Sequence, residues 1–397
     1  MREYIGKHTT AKCFIDLIDE EGKDRGTIQQ IYEFINHEVF TNPVAIMPDT
    51  HKGNGAVIGF TMELTDKVIP NVIGVDIGCG MFTMDLGPDF LKTERRGEID
   101  EKIRESIPFG TNVHKDVEYI SDGLIKEINY RLNLFSLNYK RRYNTEYNVP
   151  TITQKWFEKK CEEIGMDYRR FLQSLGTLGG GNHFIEFGQS DNGNYMVTFH
   201  SGSRQFGLKI ANYHQKKARD FKDHGQLSYL IEKEMFDYLV DMVVAQTWAD
   251  DNRRKMARIF HSIFKNDCLE VIHSIHNFID FNDWIIRKGA IRSYVGEKMI
   301  IPFNMEDGIL ICEGKSNAEW NFSAPHGAGR LFSRKQAKAE INIDEANNRM
   351  VEKDIYFSKL PIDETRDAYK PASIIEDNIG PTATIVNRIR PVLTMKD

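Results

Sequence analysis

The apolar positions of this chain follow two different periods, and the switch between them divides it into short buried strands and amphipathic helices. Between residues 43 and 86 the apolar runs are short and rich in β-branched side chains, as in Val44-Ala45-Ile46-Met47, Ala56-Val57-Ile58-Gly59-Phe60 and Asn71-Val72-Ile73-Gly74-Val75. Bounded by glycine and polar residues, such runs predict buried strands ending in loops. From Lys115 to Tyr147, by contrast, Val117, Ile120, Leu124, Ile128, Leu132 and Leu134 recur at helical spacing, and the stretch closes on the basic tract Lys140-Arg141-Arg142. Helical periodicity also predicts elements over 153–174, Leu227 to Trp248 and Arg253 to Phe264, the last two parted by a polar turn. Met299 to Phe303 and Gly308 to Cys312 read as paired strands, and Ser333 to Ile343 as a helix after a glycine-rich loop. The sum is an α/β fold: one domain over 1–397, with a β-rich core that carries the functional loops and helices around it.

Composition narrows the class without naming a function. With 397 residues and a net charge of −6, the chain has ordinary apolar and charged fractions for a globular protein, and bulk charge announces no nucleic-acid partner. The N-terminus lacks the apolar stretch of a secretory signal, and no run nears the roughly 18 apolar residues of a membrane span. Both features place the chain in the cytoplasm, away from membranes. Five cysteines, Cys13, Cys79, Cys161, Cys268 and Cys312, are odd in number and widely spaced, which argues against a disulfide framework.

One of those cysteines has unusual company. Gly74-Val75-Asp76-Ile77-Gly78-Cys79-Gly80 presents a carboxylate and a thiol from one glycine-flanked turn, and glycine-rich or loop segments downstream add His183, His200 and His276. One carboxylate, one thiolate and three imidazoles suit one or two divalent ions, zinc or manganese among them, with the thiolate able to bridge a pair. The loop Pro325-His326-Gly327-Ala328-Gly329-Arg330 differs: small residues surround one imidazole, and an arginine follows four positions on. Exposed amides and a guanidinium favour phosphate, and an oriented histidine can act as a nucleophile. His200-Ser201-Gly202-Ser203-Arg204 repeats that four-residue spacing, making Arg204 a second phosphate clamp. Asp49, His51 and Lys52 form a lesser candidate for substrate phosphate, with a capped turn as the plain alternative. His8, His37, His114, His214, His224, His261 and His273 stand without such company and read as surface or structural residues; Tyr139 to Tyr143 reads as a solvated helix end.

Taken together and in this order, these segments are similar to the RtcB RNA ligases, from the Asp49 loop to Lys396. The resemblance implies that family's α/β fold and a GTP- and manganese-dependent chemistry. It makes Asp76, Cys79 and His183 ligands of one Mn2+, and Cys79, His200 and His276 ligands of a second. It makes His326 the nucleophile that takes GMP from GTP, with Arg204 and Arg330 holding phosphates. The guanylate pocket would comprise Asn182, His183, Phe184, Ile185, Glu186, His276, Asn277, Pro302, Phe303, Asn304, Met305, Gly327, Ala328, Gly329 and Lys396, besides His326 itself. Many members carry a glycine-serine-methionine-glycine turn where this chain has Phe303-Asn304-Met305-Glu306-Asp307-Gly308, so Asn304 is expected to replace a serine contact. The implied substrates are RNA 3′-phosphate or 2′,3′-cyclic phosphate ends and 5′-hydroxyl ends, with DNA 3′-phosphates and an activating protein as further partners. A metal-dependent phosphoesterase and a non-catalytic nucleic-acid-binding relative are the competing readings.

Overall fold

Strand ends, more than helices, decide where this chain gathers its chemistry. The computed structural model describes residues 1–17, 24–93 and 95–397. A six-stranded sheet runs in space through Arg2–Ile5, Thr10–Cys13, Val44–His51, Ile58–Glu63, Ile285–Lys288 and Asn277–Asp280. Its pairs are antiparallel except Thr10–Cys13 with Val44–His51. A seven-stranded antiparallel sheet runs through Val271–Ile275, Gly80–Gly87, Tyr195–Ser201, Phe184–Ser190, Ala383–Met395, Ile309–Gly314 and Lys298–Pro302. Its outer strands approach each other, Ser274 Oγ reaching the Ile300 carbonyl at 3.5 Å, so the sheet curls toward a barrel.

Alternation along the strands separates core from site. In Phe184–Ser190 the side chains of Ile185 and Phe187 enter an apolar core with Phe199 and Phe260, whereas Phe184 and Glu186 face a cavity on the other side. The largest core lies between the six-stranded sheet and the helices Asp122–Tyr143, Arg204–Phe221 and Glu232–Phe264. There Trp248 stacks on Phe171 with ring centroids 4.2 Å apart. Burial of apolar side chains on this scale stabilises the fold, and the aromatic contacts add to it.

Several elements differ from the sequence expectation for identifiable reasons. The 115–147 helix begins only at Asp122, because the Ser121 side chain caps it by accepting from the Leu124 N–H at 3.2 Å, and ends at Asn144 in a left-handed conformation, φ 50°. Its buried stripe continues through Phe135 and Tyr139, while Leu134 is exposed. The 153–174 helix is two, Gln154–Glu163 and Tyr168–Gln173, split at Gly165 with φ 65°. Asn71-Val72-Ile73 forms a helical turn, Pro70–Ile73, because Pro70 supplies a helical φ at its first position. Met299–Phe303 and Gly308–Cys312 pair as expected, as Lys298–Pro302 with Ile309–Gly314. The helix after the glycine-rich loop spans Arg334–Glu340 behind a Ser333/Gln336 capping box.

The most informative difference is the continuous helix Glu232–Phe264 where a polar break was expected. Asn252 and Arg253 are buried and aim inward. Asn252 Oδ1 accepts from the Gly176 and Thr177 N–H groups at 2.7 and 3.2 Å, and its amide donates to the Thr177 and Gly202 carbonyls. Arg253 Nη1 donates to the Gly78 and Ser201 carbonyls, both at 2.7 Å. Polar residues here mark a buried seam between helix and loops, which a hydropathy pattern reads as a turn. Asn252→Ala is expected to destabilise the protein by about 3 kcal/mol, because it strands several buried backbone groups at once. Denaturant unfolding checks this, and an unchanged midpoint would show that the seam does not hold the loops.

Candidate active site

Four strands of the seven-stranded sheet and the loops beside them bring five donor residues together. Cys79 precedes Gly80–Gly87, His183 precedes Phe184–Ser190, His200 lies within Tyr195–Ser201, and His276 follows Val271–Ile275. Register does the rest: Phe184 pairs with His200, His200 with Met81, and Gly80 with Ile275. Cys79 Sγ lies 3.3 Å from His200 Nε2 and 3.6 Å from His183 Nε2; His183 Nε2 lies 2.8 Å from Asp76 Oδ2, and His200 Nε2 lies 3.3 Å from His276 Nε2. The donors form two groups, Asp76–Cys79–His183 and Cys79–His200–His276, with ligand atoms of each group within 4.8 Å of one another.

This donor set fits divalent cations. His183 Nδ1 faces the Leu178 carbonyl at 2.9 Å and His200 Nδ1 the Asn182 carbonyl at 3.1 Å, so each ring commits an N–H outward and, in a neutral ring, Nε2 points a lone pair at the centre. Lone pairs then oppose lone pairs across the short contacts, an arrangement that a proton or a dication relieves. Burial holds His200 and His276 well below the ordinary imidazole range, which keeps them unprotonated. Burial would raise Asp76, but the neighbouring His183 and Cys79 outweigh it and bring the carboxyl down to about 2. Burial and the Asp76 charge push the Cys79 thiol well up, so only a bound cation makes it a thiolate here.

Backbone close to these ligands must be glycine. A Cβ on Gly80 would fall 2.3 Å from the Ser274 carbonyl oxygen, and one on Gly202 would fall 2.1 Å from Asp76 Oδ1. Gly179, with φ 97°, lies under the Arg204 guanidinium, which a Cβ would meet at 1.9 Å. Arg204 itself adopts φ 59°, a costly conformation for a residue with a side chain, and directs its guanidinium to Thr177 Oγ1 at 3.0 Å and the Gly110 carbonyl at 2.9 Å.

His326 stands beside the donor set, its ring centroid 4.9 Å from that of His276. It follows Ser323–Pro325, which pairs with Ala290–Arg292. Its Nδ1 lies 2.5 Å from Asp49 Oδ2, and its backbone N–H donates to the same oxygen at 3.1 Å. Asp49 is fully buried, at a register break of Val44–His51 between Ile46 and His51, and Gly329 packs so tightly over it that a Cβ would lie 2.2 Å from the Asp49 carbonyl oxygen. The carboxylate therefore fixes the ring with Nδ1–H toward Asp49 and Nε2 free for chemistry.

The model of the tRNA-splicing ligase RtcB family matches residues 30–397. The chain belongs to the RtcB family. It is similar to the RNA-splicing ligase RtcB of Escherichia coli strain K12, 28% identical over 89% of this chain and 90% of that protein. It is also similar to the tRNA-splicing ligase RtcB of Nanoarchaeum equitans, 26% identical over 96% of this chain and 93% of that protein.

In this RtcB chain the cavity at His326 is lined by most residues assigned to a guanylate pocket: Asn182, Phe184, Glu186, His276, Asn277, Pro302 to Met305, Gly327 to Gly329 and Lys396. Ile185 is not among them, since strand alternation turns it into the core, and His183 opens on a second cavity. His51 lines the first cavity and burial pulls it down to about 4, whereas Lys52 is exposed away from it. Asp49 orients His326 and is no phosphate contact, because its carboxylate is buried beneath that ring. Asn304 Oδ1 accepts from the Glu306 and Asp307 N–H groups and its amide donates to Asp307 Oδ2, so this side chain closes its own turn. Glu186 carries an unpartnered oxygen, and burial raises its carboxyl to about 8.

Sequence reasoning missed Glu364, on which the pocket's cations converge. Its carboxylate accepts from Lys396 Nζ at 2.9 Å, Arg334 Nη1 at 2.7 Å, Arg330 Nη1 at 3.2 Å and the Tyr369 hydroxyl at 2.7 Å. No motif or periodicity marks the Asp363-Glu364 turn; only the converging cations do. Burial acts to raise Glu364, but Lys396 and Arg334 outweigh it and bring the carboxyl down to about 2. A depressed carboxyl contributes stability above its unfolded pKa near 4.5, and that contribution is lost as pH falls toward 2. Glu364→Gln is accordingly expected to cost about 3 kcal/mol at neutral pH and less as the pH is lowered through that window. Stability against pH for both proteins checks this, and parallel curves would count against it.

Proposed function

We propose that this chain is a GTP- and Mn2+-dependent RNA ligase that joins RNA 3′-phosphate or 2′,3′-cyclic phosphate ends to 5′-hydroxyl ends through a histidine-GMP intermediate. One observation carries the reading: an imidazole held by a buried carboxylate, beside two three-donor groups that share a thiol. Family membership supports the ligase class.

In this reading Asp76, Cys79 and His183 hold one Mn2+ and Cys79, His200 and His276 the other. Bound there, the ions would neutralise charge developing on phosphoryl oxygens. Asp49 keeps the His326 Nδ1 proton in place and stabilises the ring as Nε2 gains a bond. His326 Nε2 attacks the α-phosphorus of GTP; a P–N bond forms, the α–β P–O bond breaks and pyrophosphate leaves. An oxygen of the RNA 3′-phosphate then takes GMP from His326, restoring the imidazole. A 5′-hydroxyl oxygen next attacks the 3′-phosphorus, loses its proton and displaces GMP, leaving a 3′,5′-phosphodiester. A cyclic end first takes up water to open to the 3′-phosphate.

The pocket chemistry supports a guanylate. Glu186 offers an unpartnered buried oxygen to ring N–H groups, Lys396 donates from the same cavity, and Gly327 to Gly329 bring backbone close to the reacting phosphorus.

Incubation with α-labelled GTP and Mn2+ is expected to leave label on the wild-type protein and none on His326→Ala. Asp49→Asn is expected to load at least about 100-fold more slowly, since the ring loses its fixed tautomer. Cys79→Ala should load none while keeping its circular dichroism spectrum. Label on His326→Ala would overturn the assigned nucleophile, and normal metal content with full loading in Cys79→Ala would overturn the shared thiolate.

A further inference from the structure

His326 takes its aim from Asp49, but the contacts of His326 do not by themselves account for that carboxylate. Asp49 Oδ2 accepts both hydrogen bonds from His326, while Oδ1, in a side chain with no exposed surface, has no hydrogen-bond partner among the described residues. A carboxylate sealed from water needs a counter-charge. The ring supplies one only while it is protonated, and a ring that attacks phosphorus must be neutral.

Lys370 is the cation at hand. Its side chain is buried, and burial pulls it below the ordinary lysine range, with Asp24, Asp49 and Cys13 opposing the shift. Cys13 is no counter-ion, since burial pushes that thiol up to about 11. Lys370 Nζ donates to the Thr50 carbonyl at 2.6 Å, one residue past Asp49, and this is the ammonium's single hydrogen bond among the described residues. The Lys370 backbone N–H donates to the Gly329 carbonyl at 2.9 Å, three residues past His326. One residue thus ties the strand Val44–His51, at its register break, to the loop that carries His326.

Lys370 is also kept off the nucleotide side. Tyr369, one position earlier, lines the cavity, and Lys370 does not. Tyr369 is extended, φ −119° and ψ 157°, so the two side chains point opposite ways: the hydroxyl to Glu364 and the ammonium to the Thr50 carbonyl.

We infer that Lys370 is a positioning residue for the covalent step, fixing the Asp49 carboxylate against the nucleophile loop so that His326 presents Nε2 to phosphorus. It acts through Asp49 and meets no nucleotide. Without the ammonium, the buried carboxylate loses its counter-charge and its strand loses the tie to Gly329, so the ring is held less firmly. This role rests on the ligase reading, in which His326 is the nucleophile.

The test uses the full chain, with single-turnover loading from α-labelled GTP and Mn2+ as the first readout. Lys370→Met is expected to load at least about tenfold more slowly at an unchanged half-saturating GTP concentration. Added to Asp49→Asn, it should slow that variant by no more than about twofold, because both changes act through one carboxylate. Lys370→Gln keeps a donor for the Thr50 carbonyl and carries the same test if the methionine variant does not fold; the same coupling to Asp49→Asn is expected. The second readout needs no activity. With Zn2+ in place of paramagnetic Mn2+, the downfield imidazole proton resonance that His326→Ala removes should weaken or vanish in the Lys370 variants. Wild-type loading in those variants, losses that multiply with Asp49→Asn, a change confined to the half-saturating GTP concentration, or an unaltered His326 proton would each overturn the role. Absence of GMP on the wild-type protein would sink the ligase reading, while the proton resonance still reports whether Lys370 holds the Asp49–His326 pair.

Discussion

Everything at the centre of this molecule depends on the grip of one buried guanidinium. Arg253, wholly inside the protein, ties the Gly78 and Ser201 carbonyls to the long helix Glu232–Phe264. Those carbonyls belong to the residues before Cys79 and after His200, so one side chain sets the separation of two members of the donor cluster. Asn252, one position earlier, holds the Thr177 and Gly202 backbone that shapes the approach to His183 and seats Arg204. A ligand cluster needs positions fixed to a fraction of an ångström, and a rigid helix supplies that better than a loop can. The cost is a set of buried polar groups that must all be satisfied together.

The charges around the centre are sorted by the same economy of backbone. On one side Glu364 draws Arg330, Arg334 and Lys396 into fixed places before any ligand arrives. Preorganised cations lose little freedom when phosphate binds, which is where such sites gain their advantage. On the other side, among the described residues, Arg204 and Arg170 have only carbonyl and hydroxyl partners. His326 lies on the first side, held by Asp49.

Much of this was legible in the chain before its fold was known. The donor residues Asp76, Cys79, His183, His200 and His276 were picked out because glycines flank them, and the clashes a Cβ would make at Gly80 and Gly202 give the reason. The pairing of Lys298–Pro302 with Ile309–Gly314 and the helix after the His326 loop were readable from period and turn residues. The long helix was not, because Asp250, Asn252 and Arg253 look like a solvated turn when their partners, distant in sequence, are unseen.

The sequence by itself determined which residue types are present for metal and phosphate chemistry, and which stretches alternate with period two or recur at helical spacing, since those properties are local. Only the tertiary structure decided that Asp49 holds His326, that Glu364 governs the pocket's cations, and that Ile185 faces the apolar core. Each of those outcomes depends on which side chain meets which across hundreds of residues of chain, and register, burial and charge settle that together.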